Sequence, residues 1–483
     1  MHESHGLPNG KAAMTVRPDW VPMRWPNGPG GMGDNPTLLD ILRGTPVNCL
    51  IVNWADGRPE DAEQQKRLRP LIDRGRGLGL SFLGWVAAIA DRGMAINTAK
   101  AAGLAGLVTE QGQTTIVEEF PVLACQERAQ ILDASAQLVL IRDNVWPGIQ
   151  RGSAADAGPT ARAWINSNSW FLQLARARAG DGTFWLLFDP PGKGNIVTAD
   201  DYTRAVADTQ ARGGRWVISL DPALCAGIAA GQAGAMTTWK AIAGTLETFK
   251  RHPGWSAFRP LGAVGVISDF AGPNEFLSGE LLNLLARQNI PFRIIEASRA
   301  ARTPFTGFKM LMCLDEAPPQ PDLRDKLLQF VQGGGFLGAG RNWGTAGTAG
   351  DQSHPHFSLR TLGKGRIAIA KDESPDPFIV CRDLHTLLGR KHDLLRFYNI
   401  SALISHYSGA PDGTHDLLQI VSYAATSDVV TVWCNKRYSS ARLWSPGSAE
   451  PVPLELSPRM GGTEVRLPAL ATFAAVEAFS RSL

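Results

Sequence analysis

The stretch "LVLIRDNVWPGIQ" (138–150) passes from four apolar residues straight into charge, amide and indole. Such transitions recur through the first half of the chain, and each leaves a side chain capable of chemistry at the end of an apolar run. Trp54 and Asp56 close "NCLIVNWA" (48–55). Trp85 lies in "LSFLGWVA" (80–87), Glu110 ends "AGLVTE" (105–110) and Glu127 ends "PVLACQE" (121–127). Asp143, Asn144 and Trp146 end or follow "QLVLIRDN" (137–144), Asp189 lies in "FWLLFDP" (184–190) and Asp221 in "RWVISLDP" (215–222). Five carboxylates repeated in this way, Glu110, Glu127, Asp143, Asp189 and Asp221, exceed what solubility needs. Glycoside hydrolysis uses two, one protonated to assist the leaving oxygen and one ionised to attack or to activate water.

The aromatic residues point the same way. Eleven of the fourteen tryptophans precede residue 260. Sugar rings present flat C–H faces that pack on indoles, while their hydroxyls pair with amides and carboxylates. The stretch "PTARAWINSNSWF" (159–171) adds Trp164, Asn166, Asn168 and Trp170. The expectation is a saccharide cleft with Glu127 as acid and Asp221 as nucleophile or base, Asp189 and Asp143 being alternates. Trp54, Trp85, Glu110, Asn144, Trp146, Trp164, Asn166, Asn168 and Trp170 would form its binding wall. A plainer reading stands beside it. An Asp before Pro, as in "FDPP" and "SLDP", caps helices or shapes turns, and Trp54 and Trp85 suit a core equally well. Five carboxylates without an obvious pair also fit a non-catalytic carbohydrate-binding protein.

The elements that must position these residues are legible in outline. The apolar runs are continuous, as strands buried on both faces are. They alternate with helical patterns in "EDAEQQKRLRPLIDRGRGLG", "NSWFLQLARARAG", "ADDYTRAVADTQARGG" and "TTWKAIAGTLETFKRH". Seven such strands, with an eighth near 255–259, predict an α/β fold closed as a (β/α)8 barrel over 15–260, an open doubly wound sheet being the second choice. The segment 111–136 leaves little room for full helices, so the barrel is read as reduced there. In a barrel the ends of the strands converge on one mouth. At 261–297 a second α/β pattern begins, a flavodoxin-like unit with parallel strands over 261–395 that includes a hairpin at "LRTLGKGRIAIA" (360–370). From 396 to the end, short alternating strands read as an antiparallel β-sandwich.

The residues "FAGPNEFLSGELLNLLARQNIPFRII", "LLQFVQGGGFLGAG", "LGKGRIAIA" and the terminal "ARLWSPGSAEPVPLEL…LPALATFAAVEA" give this order of domains a resemblance to family-42 β-galactosidases and related barrel glycoside hydrolases. The resemblance implies a catalytic TIM barrel, a trimerisation domain shaped like a class I glutamine amidotransferase, and a small β-sandwich. It implies a carbohydrate substrate and a homo-oligomer, a trimer in that family. The chain departs from the family pattern in a shorter barrel and in lacking the Asn-Glu dipeptide that carries the family's acid on strand 4. An amidotransferase would need a cysteine on a tight elbow between glycines, whereas Cys313 lies inside the apolar "KMLMCLDEA". The middle domain therefore reads as an assembly module.

Composition bounds the rest. The chain has 483 residues, 44% hydrophobic and 19% charged, with a formal net charge of +3. Lys and Arg are scattered without basic runs interleaved with aromatics, which argues against nucleic acid as a partner. No run of about 18 apolar residues exists to cross a membrane, so a soluble protein is expected, its compartment left open between the cytoplasm and, after signal removal, the periplasm or exterior. Six cysteines stand singly and His354 and His356 form a lone pair around a proline, so neither a metal site nor a cofactor is expected.

Overall fold

The computed structural model describes the chain except for residues 1–18, 27–32, 34, 56–59, 88–91, 111, 113, 118–119, 129–137, 143, 150–163, 181, 192–195, 351–352, 401, 425–428 and 481–483. Among the described residues one sheet contains eight successive parallel strands: β1 (Pro22–Arg24), β2 (Cys49–Ala55), β3 (Ser81–Val86), β4 (Gly106–Thr109), β5 (Phe120–Gln126), β6 (Leu138–Ile141), β7 (Thr183–Leu186) and β8 (Arg215–Trp216). The sheet closes on itself. Just beyond β8, Ile218 pairs with Met23 of β1 in a parallel bridge. Ile218 N–H donates to Pro22 O at 3.1 Å and Arg24 N–H to Ile218 O at 2.8 Å. Closure removes the open-sheet alternative.

The closing strand corrects one expectation. It is Pro22–Arg24, ahead of the seven runs, and not a strand near 255–259. Those residues instead form a 3-10 turn at Pro253–Ala257, after which Arg259–Pro260 pairs antiparallel with Ser408 and Gly409.

Strand alternation sorts the barrel residues into two cores. Ile51, Leu83, Trp85, Val108, Leu123, Leu140, Trp185 and Val217 fill the interior. Leu50, Val52, Trp54, Phe82, Leu107, Phe184, Leu186 and Trp216 face the surrounding helices. Burial on both faces is why the runs read as continuously apolar. Helices α1 (Asp61–Gly77), α2 (Arg92–Ala102), α3 (Ser169–Ala179), α4 (Ala199–Gln210), α5 (Pro222–Ala229) and α6 (Ala233–Arg251) cover the outside. In α1, Asp61 and Glu63 in the first turn and Arg74 and Arg76 in the last complement the helix dipole. Its Gly75 lets the helix touch the sheet, since a Cβ there would come within 2.3 Å of the Phe82 ring. Helix α4 starts with a reciprocal capping box between Thr198 and Asp201. Between β4 and β5 a short strand, Thr115–Val117, folds back antiparallel on β5.

The chain then builds a seven-stranded sheet. Val264–Ser268 lies between Phe292–Glu296 and Met310–Cys313, followed outward by Phe336–Ala339 and Gly365–Ala370, all parallel. The antiparallel Phe357–Leu362 and Thr348–Ala349 complete it. Leu281, Leu282 and Leu285 pack on one face, Leu323, Leu327 and Val331 on the other. The remaining strands form two antiparallel sheets over a shared core containing Leu418, Ile420 and Val476 from one sheet and Val432, Val465 and Leu467 from the other.

A buried polar knot joins the barrel to these last sheets. The Asp208 carboxylate of α4 accepts from Ser167 Oγ at 2.5 Å, Asn168 N–H at 2.8 Å and Tyr423 Oη at 2.8 Å. Arg212 lies beside it, and burial pushes the Asp208 carboxyl above its ordinary range.

Candidate active site

At the C-terminal end of the barrel the inward-facing residues turn polar. Trp85 ends the apolar interior, 2% exposed. Two guanidinium groups lie over it, Arg24 at 5.0 Å and Arg142 at 5.6 Å from the ring centroid. Each arginine holds a carboxylate from another strand. Arg24 Nη1 donates to Asp189 Oδ1 at 3.0 Å, and Arg142 Nη1 approaches Glu110 Oε1 at 3.2 Å. Ser219, following β8, places Oγ 3.5 Å from the same Asp189 oxygen. Asn53 continues the inward series of Cys49 and Ile51, and Glu127 that of Leu123 and Cys125. Arg24, Asn53, Trp85, Glu110, Glu127, Arg142, Asp189 and Ser219 thus come from all eight strands or their immediate extensions. Cys125 lies close enough to sense Arg142, Glu110 and Arg24, but burial pushes its thiol up to about 12, leaving it neutral and without nucleophilic use.

The arrangement offers carboxylate oxygens, two fixed cations, an amide and a hydroxyl on one rim above an apolar interior. The part-exposed ion pairs Arg24–Asp189 and Arg142–Glu110 hold their carboxylates at the rim. Those groups suit hydroxyl recognition and transfer of a proton to a departing oxygen.

The candidates named from the sequence divide. Trp85, Glu110 and Asp189 are linked at the rim through Arg24 and Arg142, while Glu127, exposed, follows β5 in the inward register. Asp221 is occupied elsewhere: it caps α5, accepting from Ala223 N–H at 2.9 Å and Leu224 N–H at 3.0 Å, and its other oxygen accepts from Tyr202 Oη at 2.8 Å. Trp54 faces the helices on the outside of the barrel, and Gln65 Nε2 donates to its carbonyl at 2.9 Å. Trp146 is half-buried and set edge-on against Tyr202 and Trp216, whose centroids lie 5.6 and 5.4 Å away. Asn144 is buried, and its amide has no partner among the described residues. Asn168 clamps the Val145 backbone, donating to its carbonyl at 2.8 Å and accepting from its N–H at 3.0 Å.

Asn166 belongs to a two-residue strand paired with Gly148–Ile149. Trp164 is stacked under Arg287 of the next unit, its centroid 3.2 Å from the guanidinium carbon. Trp170 packs between two cores. Asp56 and Asp143 lie outside the described residues.

Sequence reasoning missed Arg24, Asn53, Arg142 and Ser219. A usable signal existed for Arg142, which stands two residues beyond Leu140 and so shares its inward direction.

No helix of the described residues is long and apolar enough to cross a membrane, and no group of three or more His, Cys, Asp or Glu among them could hold a metal ion. No family model matches the chain. No curated protein matches it either. Solved structures do. Alpha-L-fucosidase isoenzyme 2 from Paenibacillus thiaminolyticus superposes with a TM-score of 0.55 at 10% identity, over 97% of this chain and 100% of that one. A β-galactosidase from the haloarchaeon Halorubrum lacusprofundi gives 0.53 at 11% identity, over 96% and 99%. A GH42 β-galactosidase from G. stearothermophilus gives 0.36 at 10% identity, over 86% and 67%. The likeness is one of fold: the chain shares the overall architecture of the first two of these structures.

Proposed function

We propose that the chain is a glycoside hydrolase acting on an oligosaccharide or glycoside at the rim formed by Glu110, Glu127 and Asp189. The observation that supports this reading is that Asp189 and Glu110, each held by an arginine lying over Trp85, stand at the C-terminal end of a closed parallel barrel, where barrel enzymes keep their chemistry, with Glu127 following β5 at the same end. The fold shared with a fucosidase and a β-galactosidase supports it.

Asp189 serves as nucleophile or base, held on one oxygen by Arg24 with the other oxygen left for the substrate. Glu127 serves as acid. Glu110, held by Arg142, stands as the alternate partner and as a ligand for hydroxyls. Asp221 is reassigned from chemistry to capping. Trp164, Trp170 and Asn166 are held in structural packing and pairing and are not assigned to the sugar wall.

The test is turnover of a panel of aryl glycosides and oligosaccharides by the full chain, with Asp189→Asn and Glu127→Gln beside it. The reading requires at least one cleaved glycoside, with turnover lost in both variants and binding kept, since such groups act mainly on the transition state. The ion pairs at Asp189 and Glu110 favour one second reading, a carbohydrate-binding protein in which the arginines have claimed the carboxylates. Binding of saccharides without cleavage of any would establish it.

The middle sheet, over about 261–395, is read as a flavodoxin-like unit related in shape to class I glutamine amidotransferases and used for assembly. Its Cys313 is buried in a strand with the thiol pushed up to about 12, unsuited to amidotransfer. The chain is accordingly expected to form a homo-oligomer, a trimer by analogy with the family it resembles.

A further inference from the structure

The opposite, N-terminal end of the barrel opens into a cavity of about 1070 Å3. Asp19, Val21 and Asn48, which precede β1 and β2, line it together with Arg215 at the start of β8. Arg293 of the middle sheet and His406 and Gln419 of the last sheets close the other side. Its charge is one-sided. Arg176, Arg212, Arg215, Lys250, Arg259 and Arg293 line it, and Asp19 is the one acidic residue among the lining side chains. Gathering six cations around one cavity of a chain whose net charge is +3 costs self-repulsion.

Asp19 lies beside Arg215, and Asp208 behind Arg212. Lys250, Arg259 and Arg293 meet no carboxylate among the described residues. Arg293 Nη2 donates only to Thr306 O at 3.3 Å, and its Nε is buried without a partner. Buried Arg212 likewise leaves Nη1 unpartnered. The backbone makes room for the cations. Gly213 has φ +75°, and a Cβ there would stand 1.7 Å from Arg176 Nη1. The remaining lining includes the aromatic residues Phe249, Phe258 and Trp255, the last stacked on His252 at 4.2 Å. Residues 1–18, which lead into Asp19, carry Glu3 against Lys11 and Arg17.

We propose that this cavity is a second ligand site, separate from the rim, for a small molecule bearing an oxyanion of the phosphate or sulfate type. Planar guanidinium forks match such groups with paired hydrogen bonds. The aromatic wall accepts the body that carries the anion.

Calorimetric titration of the full chain at fixed ionic strength tests this, with pyrophosphate, glucose 6-phosphate and glucose 6-sulfate as probes and glucose as the neutral control. The site requires saturable binding of one anion per chain and none of glucose at the same concentrations; the two sugar esters distinguish a phosphate from a sulfate source. Replacing Lys250 and Arg259 together by Gln, both exposed and so dispensable to folding, should weaken the anion by roughly tenfold or more. Arg293→Gln should do the same wherever circular dichroism reports a folded chain. Glu110→Gln and Asp189→Asn should leave it unchanged. Absence of saturable anion binding, indifference to the Lys250 and Arg259 replacements, or loss of binding on altering the rim would each overturn the proposal.

Discussion

Asp189 shares one oxygen with Arg24 and, more distantly, with Ser219, so replacing it alters charge more than shape. Asp189→Asn and Glu127→Gln are expected to lower kcat by roughly 100- to 10,000-fold, the scale of a lost acid or base, with saccharide affinity held; steady-state kinetics beside titration separates the two. Trp146 makes the contrasting case. Its ring packs edge-on against Tyr202 and Trp216. Trp146→Ala should therefore cost roughly 2–3 kcal/mol of stability, below the ~3–5 kcal/mol of a fully buried indole, and leave KM unchanged. A large rise in KM with unaltered denaturation midpoint would return Trp146 to the binding wall. The sequence exposed the carboxylates at strand ends but hid which neighbours look inward. Runs apolar on both faces carry no alternation to phase them, so Trp54 and Trp85 looked alike although one faces the helices and the other the rim. Arg24 escaped notice because its strand did.

At the scale of elements, α5 depends on Asp221. Its carboxylate caps two N–H groups with Pro222 in the first turn, so Asp221→Ala should lower stability by about 1–2 kcal/mol with turnover retained. Urea denaturation and kinetics together check this, and loss of turnover in a chain of normal stability would restore Asp221 to catalysis. Asp208 predicts a pH effect. Burial raises its carboxyl above the ordinary value of about 3.9. Above that value the unfolded chain has released a proton that the native chain still holds, so this group's contribution to stability falls as pH rises from about 4 through the native pKa. Asp208→Asn keeps an acceptor for Ser167 and Tyr423 and should flatten that slope in denaturant midpoints measured against pH. Four of the six described barrel helices, α1, α3, α4 and α6, were readable from periodicity, whereas α2 and α5 were not, and the irregular 111–136 pointed to a reduced barrel there. The closing strand was not. Three residues, Pro22–Arg24, carry too little pattern, and their pairing with Ile218 is a contact across nearly the whole barrel that only closure creates.

The whole molecule links three sheet systems through polar contacts that no local pattern announces, such as Tyr423 to Asp208 and Arg287 over Trp164. The order of barrel, parallel sheet and antiparallel sheets was legible because each has its own texture of runs and turns. Assembly belongs to this scale, and light scattering of the purified chain should give a mass above that of the monomer, a trimer if the family analogy holds. A monomer throughout the micromolar range would remove the assembly role from the middle sheet. The central claim, that the rim cleaves glycosides, is met most directly by one measurement: release of the aryl group from a panel of aryl glycosides by the full chain and by its Asp189→Asn form in parallel. The account predicts release from at least one glycoside by the unaltered chain and a fall of at least about 100-fold in the variant. Equal rates in the two, or no release from any glycoside, would contradict it.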